Sequence, residues 1–416
     1  MTPGRFATAL VLVVAMVTPA AAQRPRGPIT LDGVVERVVQ RNLAVEAARH
    51  RLDAARAEQI AARLRPNPSL TVGADNLKMS GPTSAGELYE VSTTYSHPIE
   101  LGGKRERRLE VADLTVTVAE AQVADVVHQR LVEAKRAFYE GLLARDAVDR
   151  ARIIHKGYEE LVTLTQARFE EGDVAEGEVI KARLEQARAD TVVAQAQLTL
   201  RQAIIRLLDL LGEAEFDPER PLVGDLVVPP APPPLAELRE TASRERPSLV
   251  ALERAADLAA RRVALERARA TPDVSPYLGY RRVGENNTAL FGITIPLPFT
   301  DRNQGGIARA VAEEKTARAE ASLHRNRVLA ELESAWAAWQ TARARVQALE
   351  TALLRQAEES RDIAQTAYRE GAIGLLEFLE AQRTLTDVRH EYARSLYEAQ
   401  ASRLAVELAL GRELPR

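Results

Sequence analysis

The sequence contains no cysteine, which excludes disulfides, thiolate metal sites and a lipidated cysteine. Its 6 histidines are scattered, and no two lie three or four residues apart, so we expect no metal site and no bound cofactor. There is also no nucleophile–base pairing and no phosphate-binding loop, and the chain is therefore not expected to be an enzyme. A formal net charge of -3 over 416 residues gives no general basis for binding nucleic acid.

Long hydrophobic runs are missing from all but the start of the chain. Arg5 precedes an apolar run, 6–17, and Ala20-Ala21-Ala22 follows it. A positive start, a short apolar core and an A-x-A end predict a signal peptide at 1–22, cleaved after Ala22. The run is too short for a membrane-anchoring helix, and no later segment has about 20 continuous apolar residues. If the mature chain enters a membrane, we expect it to do so through β-strands.

Aromatic residues make up only 4% of the chain, whereas helix-forming Ala, Arg, Glu and Leu abound. Helical spacing runs from Leu31 to Arg65, and period-two alternation on both sides of a turn-rich loop predicts a β-hairpin at 69–96. A proline-free segment from Lys104 to about Glu171 predicts a helix about 100 Å long. After a turn at Gly172, another helix runs to Leu211, and these elements form a first repeat at 23–216.

A proline-rich linker at 217–234 precedes a second copy of this pattern at 235–416. It comprises a helix at 235–270, strands at 274–280 and 290–295, a long helix to about Glu370 and a last helix to Leu410. Tyr368 follows Phe169 by 199 positions, as Gly371 follows Gly172 and Glu377 follows Glu178. The constant spacing indicates a tandem duplication built around two helix–turn–helix tips. The main change in length falls in the hairpin loops, where insertions are tolerated best.

The strands have the length of tilted strands that cross a bilayer. We expect Phe291, Ile293, Ile295 and Leu297 to face outward, with Gly292 and Thr294 on the other side. Four strands cannot close a barrel, and open edges are not tolerated in lipid, so three copies would have to pool twelve strands. The alternative is a soluble hairpin that caps a coiled coil. Trp336 and Trp339 follow helical packing spacing and are interpreted as residues of a helix-packing seam rather than of a binding site.

The duplicated layout resembles the TolC-type outer-membrane factors over essentially the whole mature chain. The tip Tyr368-x-x-Gly371-x-x-x-x-x-Glu377-x-x-Glu380 and the strand exits at 98–105 and 296–305 carry the resemblance. The strand exits are most similar to the heavy-metal efflux branch typified by CzcC. The resemblance implies a mainly α fold with a small β part. In it, a homotrimer forms a 12-stranded membrane β-barrel in outer-membrane lipid, continuous with a periplasmic α-helical barrel.

The resemblance also implies partners and sites. The partners would be a periplasmic adaptor protein and an inner-membrane pump of the resistance-nodulation-division type. The periplasmic constriction would be acidic, with Glu377 and Glu380 three residues apart on one helix face and Glu178 in the first copy. The adaptor would contact the tips through a set of residues placed around the two turns: Phe169, Gly172, Val174, Tyr368, Gly371 and Ile373.

Simpler interpretations remain for the same residues. Helix capping alone explains both tip glycines, and solvated acids on an exposed helix face explain the glutamates. The expected function is a passive outer-membrane conduit in a Gram-negative bacterium, with divalent heavy-metal cations as cargo. One alternative is export of organic compounds or drugs, or type I protein secretion. A second alternative is a soluble periplasmic coiled-coil scaffold.

Overall fold

The computed structural model describes residues 27–77, 79–81 and 89–415. The predicted signal peptide at 1–22 and its cleavage residue Ala22 lie outside these residues. The described chain is mainly helical with a small sheet, as the sequence predicts.

The two halves of the chain have parallel element orders. The first half contains α1 (Leu31–Arg41), α2 (Leu43–Arg63), β1 (Ser69–Asp75), β2 (Glu90–Ser96), α3 (Lys104–Glu170) and α4 (Glu176–Leu210). The second half contains α5 (Leu235–Glu245), α6 (Pro247–Arg269), β3 (Ser275–Val283), β4 (Asn286–Thr294), α7 (Gln304–Ala348), α8 (Leu354–Arg369) and α9 (Leu375–Leu410). A π-helical turn, Leu349–Leu353, separates α7 from α8.

Each predicted N-terminal helix is in fact two helices, so the prediction of continuous helices at 31–65 and 235–270 is wrong. In the first half Asn42 has an extended backbone, and its side-chain oxygen accepts hydrogen bonds from the amides of Ala44 and Val45. Its side-chain amide donates to the Leu210 carbonyl at 2.7 Å, which fixes the break against the end of α4. In the second half Pro247 causes the break, because proline disfavours the helical conformation in the residue before it.

The strands form one antiparallel sheet in the order β1-β2-β3-β4, so the hairpins of the two halves lie side by side. The second hairpin is longer than predicted because its turn is confined to Gly284 and Glu285, with Val283 paired to Asn286. Gly284 has φ 57°, the left-handed conformation that such a tight turn requires. The two edges of the sheet, β1 and β4, have no neighbouring strand among the described residues.

Helix α3 is the centre of the helical part. Its 67 residues pack against α1, α2, α4, α6 and α9. One buried cluster joins α1, α3, α4 and the linker, and a second joins α5, α7 and α9 around Leu332 and Trp339. Trp336 is half-buried against the second cluster, and the prediction that both tryptophans pack between helices is confirmed. A third cluster lies at the tips, where Tyr158 and Leu161 of α3 meet α8 and α9.

We expect Asn42→Ala to destabilise the α1–α2 corner by about 1–2 kcal/mol, because it removes the cap of α2. The measurement is the thermal midpoint of the helical circular-dichroism signal in detergent. Gln40→Ala is the control, since Gln40 bonds only Glu36 on the exposed side of α1. Equal midpoints for the two variants would contradict the capping role.

Candidate functional site at the helical tips

The two tips have the same backbone geometry. Gly172 and Gly371 have φ values of 86° and 77°, in the left-handed region where side chains are strained. In the first tip the Asp173 amide donates to the Arg168 carbonyl at 2.9 Å, and in the second the Ala372 amide donates to the Ala367 carbonyl at 2.8 Å. These bonds close the helix ends in the Schellman arrangement. Both glycines are therefore needed for the turn itself.

Tyr368 fastens the second tip to the first. Its hydroxyl lies 3.1 Å from the Thr165 hydroxyl, and its carbonyl accepts a hydrogen bond of 3.1 Å from Arg168 Nη1. The Arg168 guanidinium carbon also lies 5.2 Å from the centre of the Tyr368 ring, within reach of a cation–π interaction. The ring also stacks on Phe378, with the ring centroids 5.7 Å apart and the ring planes inclined by 12°. The contacts hold α8 and α9 against α3.

The structure therefore changes the interpretation of Tyr368, whose side chain is only 2% exposed. Its side chain cannot be a surface contact in this arrangement, because it is the core of the joint between the tips. Phe169, its counterpart in the first tip, is 38% exposed, and Gly172 and Gly371 are also exposed. Val174 and Ile373 are half-buried beside them.

The three candidate acids lie at the starts of α4 and α9. Glu377 and Glu380 are both exposed on the first turns of α9. Glu178 is half-buried in the first turn of α4, and its Oε2 is shielded from water and has no hydrogen-bond partner among the described residues. Glu178 and Glu377 occupy matching first-turn positions, where the partial positive charge of the helix end favours an acid. The structure brings Glu377 and Glu380 together and leaves Glu178 on the neighbouring hairpin.

A second polar link joins the two helical hairpins. It lies one to two helical turns beyond the acids, further along α4 and α9. Arg383 of α9 donates to Glu185 of α4 at 2.6 Å, and Arg188 bonds the same carboxylate at 2.7 Å. Burial raises the pKa of the nearby Tyr158 phenol, and the negative charge of Glu185 adds to that rise. Sequence reasoning missed Thr165, Arg168, Glu185 and Arg383, because pairing between elements about 200 residues apart leaves no local pattern.

The sheet lies at the end of α3 that is remote from the tips, and it has one apolar and one polar face. The strand register aligns four apolar residues across it: Leu70, Tyr95, Leu278 and Phe291. All four are exposed, Phe291 to 88%. Ile293 and Ile295 continue the same face, as the sequence predicts.

The opposite face of the sheet carries Ser96, Tyr277 and Gly292 in one row. A Cβ at Gly292 would lie 2.5 Å from the Tyr277 ring, so a larger residue there would require the ring to move. An exposed apolar face this broad is typical of a surface that is covered by lipid or by another protein.

Two negative findings apply to the described part of the chain. None of its helices is both long and apolar enough to cross a membrane. No group of three or more His, Asp or Glu side chains in it could hold a metal ion.

Comparison with known proteins gives consistent matches. The family model described as outer membrane efflux protein matches residues 34–213 and 238–412. The chain is 30% identical over 402 residues to the cobalt-zinc-cadmium resistance protein CzcC of Cupriavidus metallidurans, covering 95% of this chain and 93% of that protein. It is 31% identical over 292 residues to the nickel and cobalt resistance protein CnrC of the same organism, covering 68% and 65% of the two chains.

Solved structures share the fold at lower identity. A structure of CusC matches with a TM-score of 0.77 at 18% identity, covering 94% of this chain and 96% of that one. The Campylobacter jejuni CmeC outer membrane channel matches with a TM-score of 0.78 at 16% identity, covering 92% and 85%. These likenesses concern the fold alone.

We expect Gly371→Ala to lower the free energy of local unfolding of the second tip by about 1–2 kcal/mol, because alanine is strained at positive φ. This corresponds to a roughly 5- to 30-fold faster amide hydrogen exchange around the α8–α9 turn, measured by mass spectrometry. Gly374→Ala is the matched control, since Gly374 has φ -80° and open space around its Cα. If the amides of both variants exchange at the same rate, the left-handed conformation of Gly371 does not determine the stability of the tip.

Proposed function

The chain belongs to the outer membrane efflux protein family, and from that premise we propose that it is the exit channel of a three-part system that exports divalent heavy-metal cations. It lies in the outer membrane of a Gram-negative bacterium, with a large periplasmic part. Proteins of this family are efflux channels rather than enzymes. Membership also contradicts the alternative of a soluble periplasmic scaffold.

The proposal that the cargo is metal cations rests on the 30% identity to CzcC over 95% of the chain. CzcC and CnrC are named for resistance to cobalt, zinc, cadmium and nickel. The exposed carboxylates of Glu377 and Glu380 suit passage of such cations, because they attract positive charge without holding it in a closed ligand set. The absence of cysteine and the presence of only 3 methionines argue against a soft-metal site that would retain the cargo. Export of organic compounds or type I secretion is the alternative cargo.

We propose that the channel is a homotrimer. The described residues of one chain supply four strands with two open edges and an exposed apolar face. Open edges are costly in lipid because their amides and carbonyls find no partner there. Three copies joined edge to edge would supply twelve strands, pairing β1 of one copy with β4 of the next and closing a barrel. The helices would then surround one axis as a periplasmic tube.

The tips would form the periplasmic end of this tube. Three-fold symmetry would place six carboxylates, from Glu377 and Glu380, around the axis, with Glu178 beside them. The adaptor would dock on the tips through the accessible Phe169, Gly172, Val174, Gly371 and Ile373. In this arrangement Tyr368 supports the docking surface from beneath. A proton-driven pump of the resistance-nodulation-division type would supply the energy, since the channel itself is passive.

The test of cargo is growth of a deletion strain that retains the cognate adaptor and pump. We expect restored expression of this chain to raise tolerance to cobalt, zinc and cadmium salts, and to leave tolerance to organic dyes and detergents unchanged. The control is the same strain carrying an empty vector. Rescue by the chain against dyes but not metals would overturn the metal cargo and favour the organic alternative.

We expect Glu377→Gln with Glu380→Gln to lower the preference of the open channel for cations over anions, because six negative charges leave the axis. The measurement is the reversal potential of single channels in planar bilayers under a salt gradient. Glu359→Gln, at an exposed position of α8 away from the turn, is the control. An unchanged reversal potential in the double variant would mean that the acids are solvated outside the conducting path.

A further inference from the structure

We propose that a cleft between the end of α6 and the start of α7 binds the phosphate of an anionic phospholipid, whose acyl chains lie along the apolar edge of the sheet. The inference rests on the outer-membrane position of the proposed function, and it does not depend on the cargo. It gives the second half of each chain a lipid site that the matching place in the first half lacks.

An exposed apolar row runs along β4 and continues into the segment that follows it. The row begins at Phe291 and ends at Phe299, which is 78% exposed. Every second residue between them is apolar and exposed as well: Ile293, Ile295 and Leu297. Since β4 ends at Thr294, the row extends beyond the sheet toward the helices. With the apolar face of the sheet in the bilayer, the end of this row lies at the level of the lipid headgroups.

The row leads into a cleft of about 590 Å³. Leu297 lines the cleft between Pro296 and Pro298, and the last residues of α6 line it as well. Three arginines complete its charged part: Arg269, Arg302 and Arg309. The volume lies within the range of pockets that bind small molecules. An apolar row that ends among guanidinium groups suits a ligand with an apolar part and an anionic part.

Two of these arginines are available to an anion. The exposed Arg302 forms no ion pair with any described residue, and its side chain bonds only the Pro298 carbonyl, at 3.3 Å. Arg309 is also exposed, and its Nε lies 3.7 Å from Glu313, which is a loose pairing in water. Guanidinium groups bind phosphate through two parallel hydrogen bonds, so both side chains are suited to hold it.

The acids of the cleft are already engaged. Glu266 Oε1 accepts a hydrogen bond of 2.6 Å from Arg269, and Glu266 Oε2 accepts one of 2.7 Å from Asn303 Nδ2. The other acid, Asp301, accepts a hydrogen bond of 2.8 Å from the Asn303 amide. Three arginines against these two acids leave the lining with a formal excess of one positive charge.

The start of α7 adds backbone donors beside the arginines. Asn303 precedes the helix but does not cap it, because its side-chain amide is directed to Glu266. Gly305 and Gly306 follow in the first turn, where the helix offers no carbonyl to their amides. Gly306 lines the cleft, and a Cβ at Gly305 would meet nothing within 4 Å. Free amides at a helix start favour a phosphate that the arginines attract.

The first half of the chain fills the matching place with its own ion pair. Arg108 pairs with Glu100 near the start of α3, and it also donates to two carbonyls at the end of α2. Matching residues of α3 and α7 are 200 positions apart, since these helices begin at 104 and 304. The counterparts of Arg108 and Glu100 are therefore Ala308 and Thr300, which cannot form an ion pair. The second half leaves open what the first half closes.

An anionic phospholipid is the ligand that satisfies both parts of this surface. Its phosphate would pair with Arg302 and Arg309, and its acyl chains would cover the row from Leu297 toward Phe291. Free phosphate would leave that row uncovered. The net positive lining also favours an anionic headgroup over a zwitterionic one, as at other basic surfaces next to a bilayer.

Lipid binding to the purified channel tests the site. The protein is purified in mild detergent, freed of lipid and titrated with phosphatidylglycerol, and the lipids bound per chain are counted by native mass spectrometry. We expect Arg302→Gln with Arg309→Gln to weaken binding of the tightest lipid by roughly tenfold or more, because hydrogen bonds to charged groups are lost. Arg327→Gln is the matched control. Arg327 also lies on α7, is as exposed as Arg309 and is likewise 3.7 Å from a glutamate four residues further on.

The outcomes separate this inference from the proposed function. A double variant that binds the lipid as tightly as the wild type would overturn the site. Displacement of the lipid by inorganic phosphate alone, or equal binding of phosphatidylcholine, would overturn the anionic phospholipid as its ligand. A membrane-bound oligomer with any of these results leaves the proposed function standing. A chain recovered only in the soluble fraction would overturn both.

Copying the ion pair of the first half into the second tests why the cleft is open. Thr300→Glu with Ala308→Arg rebuilds the Glu100–Arg108 pair beside the cleft and keeps its three arginines. We expect this variant to lose the tight lipid to a similar extent, while the thermal midpoint of its helical circular-dichroism signal does not fall. An unchanged lipid affinity in this folded variant would contradict the open cleft as the binding site.

A photoreactive lipid locates the acyl chains. Phosphatidylglycerol with a diazirine in one acyl chain is added at one lipid per chain, irradiated and mapped by peptide mass spectrometry. We expect it to label the peptide that holds Leu297 and Phe299 in preference to Leu70 and Val72, which are also exposed but lie on β1. Equal labelling of the two peptides would mean that lipid coats the apolar face without a site, and would overturn the inference.

Discussion

The packing of α3 along its length is the interaction on which the rest of the structure depends. A helix of 67 residues is about 100 Å long and spans both the body and the tip. It is close to its neighbours because small residues line it: Ala134 and Ala137 are buried in the body, and a Cβ at Gly141 would lie 2.7 Å from Leu222 of the linker. A helix of this length derives its stability from such tertiary packing rather than from propensity.

Buried charges fix how α9 lies on α3. Lys135 of α3 and Glu407 of α9 are both almost inaccessible, and Arg403 donates to the same carboxylate. The His128 ring nitrogen meets the Glu407 carbonyl at 3.0 Å, and burial lowers the pKa of that imidazole. Burying charges is costly unless all are paired, so a shift of α9 along α3 would leave charges unmatched. These contacts therefore fix the position of α9, in the second half of the chain, along α3 in the first half.

At the tips, structural demands alone explain most of the residues to which we assign a proposed function. Gly172 and Gly371 are required by their turns, and Glu178 and Glu377 suit the starts of their helices. Glu380 is different, because it lies a turn further on and its counterpart in the first half is Lys181. Of the three acids, Glu380 is therefore the one for which helix-end stabilisation offers no explanation. Its exposed position leaves its carboxylate available for the role along the trimer axis that we propose.

The sequence by itself determined the helical class, the hairpins, the two tips and their glycines, because these depend on local periodicity and on turn chemistry. It also revealed the 199-residue spacing that relates the tips. It did not reveal the breaks at Asn42 and before Pro247. Their signals, a capping residue and a proline at a helix start, are compatible with a continuous apolar pattern.

Only the tertiary structure decided which of two equivalent residues is buried. Tyr368 and Phe169 occupy matching places in the sequence, but Tyr368 of α8 is buried against α3, whereas Phe169 at the end of α3 is 38% exposed. The same holds for Leu379 of α9, which is buried, and its counterpart Ile180 of α4, which is exposed. Periodicity marks a face as apolar, but what covers that face depends on contacts between elements far apart in the chain.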